Sequence, residues 1–247
     1  MENNQRNQQS LPEYPVLESN HPFVQWLHTY LLWGQIMGVN PMVFTFPADG
    51  EPSVEDNLRW QKNALWVSDD LLERISPRLL AILAVRNYME RQIWHGYLVL
   101  VVLTIVAALI ITLAVTDYVR RLLGVNPLWD LVHLLVLPVL LDVPSLLRDF
   151  ARRRTDEEAF ERLGEPQMFL QAMQTALEES YRQGETDKQL RKMLKRLNRL
   201  RAKAGEPPLT LQEVKQQAGQ PRATTEELQE ESPLAVNNGI QEEEQAR

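Results

Sequence analysis

The run GYLVLVVLTIVAALIITLAVT, from Gly96 to Thr116, holds twenty-one residues without one charged side chain. Coiled as an α-helix it measures about 30 Å, the depth of a bilayer's hydrocarbon core. Inside the run the polar interruptions are Thr104 and Thr112, too few for the polar stripe of a soluble amphipathic helix. Charges gather at its ends instead: Glu90 and Arg91 before it, Asp117, Arg120 and Arg121 after it. A span over about 96–117 is the expectation, with a buried core helix as the alternative.

A second apolar segment, 129–147, is less regular. It carries Asp142 and the prolines Pro138 and Pro144. A charge at the bilayer midplane is costly, so Asp142 has to lie near an interface or under other protein. Prolines are tolerated in such helices when neighbours satisfy the freed carbonyls. The reading favoured is a hairpin over 95–147 turned around Gly124 to Pro127, ahead of one span plus an interfacial helix. Arg148, Arg152, Arg153 and Arg154 then mark the return side as cytoplasmic by the positive-inside bias. Arg86 and Arg91 on one side match Arg120 and Arg121 on the other and decide nothing. The opening MENNQRNQQS is polar, so no secretory signal peptide is expected and insertion rests on the internal helix. The localisation expected is integral membrane, a bacterial inner membrane, with both termini cytoplasmic if there are two spans.

The water-facing remainder divides by composition. Residues 1–20 read as a flexible polar arm, and 21–94 as the N-terminal half of a cytosolic-facing domain. Residues 148–204 form its helical C-terminal half, and 205–247 an acidic tail. Within the first half a short helix is expected to end near Gly38. Val43 to Phe46 and Ala64 to Val67 are strand candidates. Ser68 then caps a helix whose Asp69, Asp70 and Glu73 suit its positive end. Pro77 fits the first turn of a helix leading into the span, and Pro166 the start of another. The fold class is therefore an α-helical-dominated α+β membrane protein.

The formal charge of -7 argues against a nucleic-acid binder, yet it hides an asymmetry. Residues 188 to 203 carry eight Lys or Arg and no acid, whereas Glu206 to Arg247 holds nine Glu and three basic residues. A helix at 187–204 has an apolar stripe of Leu190, Met193, Leu194, Leu197 and Leu200. Lys188, Arg191, Lys192, Lys195, Arg196 and Arg199 flank it as candidate interaction or lipid-contact residues. A surface helix packed on its own domain, or a short coiled coil, explains the pattern equally. The tail, rich in Glu, Gln, Pro and Ala, is expected to be disordered or only locally helical.

Catalytic signals are sparse. The chain has no cysteine, which removes disulfides, thiolate nucleophiles and Cys-ligated metals. Its histidines, His21, His28, His95 and His133, make no HExxH pair. There is no G-x-S-x-G, phosphate loop or dinucleotide fingerprint. Asp142 and His133 are candidate buried ionisable groups in a membrane, functional by default. Pairing of Asp142 with Arg86 or Arg91 accounts for it as well.

The order of features carries a resemblance. NPMVFTF at 40–46 precedes NALWVSDDLLERISPRLLAILA at 63–84 and the two apolar segments. RDFARRRTDEEAFERLGEPQMFLQAMQTALEE follows at 148–179. Over about residues 40–180 this arrangement resembles the M48 (HtpX-like) family of membrane zinc metallopeptidases. The resemblance implies a small metallopeptidase-like domain interrupted by a transmembrane helical hairpin. It also implies a lost site. On the family's active helix, Val85 and Met89 fall where the two histidines belong, and Arg86 falls at the catalytic glutamate. The downstream ligand position is Asp156, with Phe160 in place of the family's aspartate. Valine and methionine cannot supply imidazole nitrogen, and arginine stays protonated and cannot serve as the base. An Arg86–Asp156 ion pair in place of the metal is a further expectation.

The function expected is thus a non-catalytic membrane adaptor, regulator or complex subunit, with a pseudoprotease that holds a peptide uncut as one form of it. Strand addition near Ala64 to Val67 would be its mode. The alternatives are a membrane-bound, peptidase-like enzyme with a non-standard site, and an accessory subunit of a transporter or channel. No cofactor or metal is expected. The partners expected are membrane lipid and a membrane protein or second copy, and the basic helix and acidic tail could also bind each other.

Overall fold

The computed structural model describes residues 14–47, 54, 57–124 and 137–219, with the side chains of 123 and 137–145 outside that description. The protein is helix-dominated α+β: α1 Pro22–Trp33, β1 Met42–Phe46, β2 Leu58–Gln61, β3 Ala64–Ser68, α2 Asp69–Arg74 and α3 Pro77–Leu123. After these come α4 Leu137–Arg162, α5 Pro166–Arg182, α6 Asp187–Lys203 and α7 Leu211–Ala218. Two compact units share the chain, one of Met1–Asn87 with Arg162–Arg247, the other of Tyr88–Glu161.

In the first unit, α1 begins where Pro22 presets the helical φ and His21 Nδ1 accepts the Phe23 N–H at 3.3 Å. It stops at Gly34, short of the expected Gly38. Gln35 takes a left-handed φ of 57°, and the Ile36 N–H returns to the Leu31 carbonyl at 2.9 Å. That closure satisfies a terminal carbonyl of the helix without a glycine at the left-handed position.

The sheet has the order β1-β3-β2. β1 runs parallel to β3, with Met42 opposite Ala64 and Phe46 opposite Ser68; β2 is antiparallel to β3, with Leu58 opposite Val67. β3 is therefore the central strand, so the expectation that Ala64 to Val67 offers an edge for strand addition is corrected. Both its hydrogen-bonding sides are occupied. β2 itself was not anticipated. Its alternation is clean, with Leu58 and Trp60 buried and Arg59 and Gln61 exposed. The turn into β3 uses Lys62 at a φ of 53°, where Gly or Asn would have announced a hairpin.

Residues 14–17, assigned from composition to the flexible arm, belong to the fold. Leu17 N–H donates to the Val43 carbonyl at 2.9 Å and Thr45 N–H to the Pro15 carbonyl at 3.0 Å. Tyr14 meets the Trp66 ring edge-on at 5.0 Å. Residues 1–13 of that arm lie outside the described residues.

Ser68 caps α2 as expected, its hydroxyl accepting the Leu71 N–H at 3.4 Å. α3 then fixes the sheet from its own backbone and side chains: Trp60 Nε1 donates to the Ala84 carbonyl at 2.8 Å, and Asn87 Nδ2 to the Leu58 carbonyl at 2.6 Å. Phe23, Leu27, Tyr30, Leu65, Leu80 and Phe169 are buried at the centre of this unit. Full burial of such apolar side chains contributes about 1.5–3 kcal/mol each.

The C-terminal helices α5, α6 and α7 pack on one another. Leu190, Leu194, Leu197 and Leu200 of α6 are all buried, as are Val214 and Ala218 of α7. Asn198 holds the connecting loop by two 2.8 Å bonds to the backbone of Leu209, and Thr210 with Glu213 forms a reciprocal cap on α7. The region from residue 205 thus contains an ordered helix, while 220–247 lies outside the described residues.

The second unit contains the remainder of α3 and most of α4, antiparallel to each other. Arg152 Nε donates to Glu90 Oε1 at 2.9 Å, and about two turns further along α3 Tyr97 meets Phe150 edge-on at 5.7 Å. The helix expected before the span and the span itself are one continuous α3. Among the described residues, Pro77–Leu122 is the one helix long and apolar enough to cross a bilayer, with a window of mean hydropathy 3.2. Residues 125–136, which hold most of the expected hairpin turn and the start of the second segment, lie outside the described residues; from Leu137 the chain is helical.

Candidate functional site

The positions singled out by the metallopeptidase resemblance fall in both units. Val85 and Arg86 belong to the first, Met89, Asp156 and Phe160 to the second, and each of the five side chains is buried. Val85 and Met89 offer only hydrocarbon and a thioether to their surroundings. Arg86 lines a cleft in the first unit with Val54, Leu58, Leu83, Asn87 and Met173. At about 30 Å³ that cleft has room for a water or a methyl group, far below the roughly 300 Å³ of a small-molecule site.

The histidines are spread out. His21 is the α1 cap, and burial holds its imidazole below the ordinary range, which keeps the ring neutral and able to accept the Phe23 N–H. His95 Nδ1 sits 2.6 Å from the Arg91 carbonyl one turn earlier on α3. His133 lies outside the described residues, and so does the side chain of Asp142. Among the described residues no three His, Asp or Glu side chains stand close enough together to hold a metal ion.

Two polar networks in the first unit escaped the sequence reading. Glu165, the residue before Pro166, receives Tyr30 Oη at 2.5 Å and Arg78 Nη2 at 2.6 Å, while Arg78 Nε donates to Tyr30 Oη at 3.1 Å. The Arg78 guanidinium also lies 4.6 Å from the centre of the Trp26 ring. Burial, then the bond to Glu165, raises the Tyr30 phenol well above its usual range, so it stays a donor. Committed to this network, the Glu165 carboxylate makes no cap bond to α5, although it stands at the cap position.

Glu179 is the centre of the second network. Its side chain is fully buried, and its carboxylate takes Arg74 Nη1 at 3.0 Å and Arg182 Nη1 at 3.3 Å. Arg74 also reaches Asp70 at 2.8 Å, and Arg182 Nε donates to the Ala218 carbonyl at 2.9 Å. α2, α5 and the end of α7 are thereby tied at one carboxylate. These networks satisfy buried charge and fix helices. No signal in the sequence pairs residues 30, 78 and 165, because each contact spans dozens of residues.

Of the readings its amphipathic pattern left open, α6 fits a helix packed on its own domain: the four leucines of its stripe are buried inside the first unit and Met193 is half-buried. What α6 presents outward is a basic face: Lys188, Arg191, Lys192, Lys195 and Arg199 are exposed, and Arg196 is half-buried against the cleft.

The second unit presents the opposite surface. Along α3, Val99, Leu103, Val106, Ile110, Ile111 and Leu113 are all exposed, whereas Thr112 and Thr116 are buried. Each threonine hydroxyl donates to a carbonyl one turn back, Thr112 to Ala108 at 2.8 Å and Thr116 to Thr112 at 2.7 Å. Compared with known proteins, the chain matches no family model, no curated protein and no solved structure.

Proposed function

We propose that this protein is a non-catalytic membrane adaptor or regulatory subunit. In this reading α3 anchors it in a bilayer, and the first unit is offered to a protein partner. The observation that carries this reading is the outward apolar face of α3. Ten large apolar residues between Leu98 and Leu113 are exposed. Covering them is worth on the order of 10 kcal/mol in hydrophobic free energy, and contiguous apolar surface of this kind marks a membrane or a partner site. The stretch is charge-free for the thickness of a hydrocarbon core, which favours lipid as the cover.

The non-catalytic part rests on residue chemistry. If the chain descends from membrane zinc metallopeptidases, the positions of zinc ligation and water activation now hold Val85, Arg86 and Met89. None of these can perform those steps. The arginines Arg148, Arg152, Arg153 and Arg154 support a cytoplasmic first unit, with the start of α4 returning the chain through the bilayer.

Membrane fractionation tests the anchor. The chain should stay in the membrane pellet through alkaline carbonate and come out only with detergent; a monodisperse soluble species without detergent would end the reading. Since the chain lacks cysteine, Lys62→Cys and Lys192→Cys can each be labelled alone in sealed vesicles. Both should react from the same side, and opposite sides would refute the two-span topology. Mass measurement of the intact detergent complex should then show a stoichiometric protein partner.

A further inference from the structure

We propose that the basic face of α6 is the docking surface for the acidic segment 220–247 of the same chain. The face is built, not incidental. Lys188, Arg191, Lys192, Lys195 and Arg199 are exposed on the side of the helix opposite the buried leucines. With that stripe consumed inside the unit, α6 has only charge to offer an outside ligand. The ligand it suits is an anion of extended shape, matching about 16 Å of helix from Lys188 to Arg199.

The acidic segment has the right charge. Residues 220–247 carry seven Glu against Arg222 and Arg247, with four of them at Glu226, Glu227, Glu230 and Glu231.

The exit point has the right place. α7 folds back along α6, since Leu209 is held by Asn198 near one end and Lys215 by Asp187 at the other. Ala218 is fixed by Arg182, just before α6 begins. Gly219 therefore releases the chain beside the first turn of α6. Seven to twelve residues separate Gly219 from Glu226 to Glu231, a reach of at most about 20–40 Å, enough to span the helix from Lys188 onward.

Single exposed ion pairs are weak, at about 0–1 kcal/mol each. Several acting in parallel on a tethered segment gain from the millimolar effective concentration that a short tether supplies. The dock should therefore be salt-sensitive and displaceable, so that only a partner of higher negative charge density takes the α6 face. This arrangement is independent of whether α3 crosses a bilayer.

Amine footprinting in uncharged detergent tests it. Acylation rates of Lys188, Lys192 and Lys195 are compared, relative to exposed Lys62, between the full chain and a variant combining Glu226→Gln, Glu227→Gln, Glu230→Gln and Glu231→Gln. The α6 lysines should react about fivefold faster in the variant at low salt, and the difference should vanish near 0.5 M salt, where the Debye length is only a few ångströms. It should also be unchanged by dilution. Equal rates at low salt would overturn the proposal. So would protection that fades on dilution, which assigns the face to a second copy, or protection seen only with phosphatidylserine vesicles and equally in both chains, which assigns it to lipid.

Discussion

The first unit and the α3 stretch of the second are inside-out versions of each other. In the sheet and α1, Phe23, Leu27, Tyr30, Leu58 and Leu65 are buried, and Lys62 and Arg59 are exposed. Between residues 98 and 116 the order reverses: Ile110 is 61% and Leu113 60% exposed, while Thr112 is 1% exposed. In the first unit the chain itself takes apolar surface out of water, whereas along α3 that surface faces outward. The threonines show how a polar residue is admitted to the second: each hydroxyl satisfies itself on its own helix.

The sharpest way to break the comparison is a charge at the centre of the outward face. Ile110→Asp should cost about 3 kcal/mol of insertion free energy, read as a lower inserted fraction of the isolated α3 segment. At an exposed site of a water-soluble helix the same change would be almost neutral. Next in size is a cavity in the conventional core. Leu197→Ala should remove about 3 kcal/mol of stability, read as a lower melting temperature in detergent, with insertion unchanged.

A smaller loss is expected at the network around Glu165. Glu165→Gln keeps the shape but removes the charge facing Arg78, and should cost about 2 kcal/mol by denaturant titration. Retained stability would mean the ion pair adds nothing beyond its desolvation cost. The smallest effect concerns pH. Burial depresses the folded pKa of His21 below its ordinary 6.5, so the unfolded chain takes up the proton first. The neutral ring's contribution is complete above 6.5 and is lost as pH falls from there through the folded value. A cap of this kind is worth about 1 kcal/mol. His21→Asn, a cap that does not titrate, should flatten the fall in melting temperature between neutral pH and about pH 5.

What the sequence made legible follows the range of the interaction. Ser68, Pro77 and Pro166 each mark a helix start by chemistry acting within one turn, and the helices begin there. The apolar run of α3 is equally local. β2 and the end of α1 were hidden because Lys62 and Gln35, neither of them glycine, occupy left-handed positions. The Tyr30–Arg78–Glu165 and Glu179 networks were invisible because no local pattern pairs residues so far apart. Of the positions drawn from the metallopeptidase resemblance, all five are buried, but they divide between two units, and the resemblance rests on residue order alone. The basic face of α6 was readable from spacing. That its leucines were already taken needed α5 and α7 in place.

The two hydrogen bonds between residues 15–17 and β1 have a practical consequence. They close the outer side of a strand that would otherwise present bare amides and carbonyls, the template on which sheets of separate molecules join. Trimming upstream of Tyr14 leaves that cover in place. Cutting past Leu17 strips it, and the shortened protein should self-associate through β1 even with the apolar face of α3 covered by detergent.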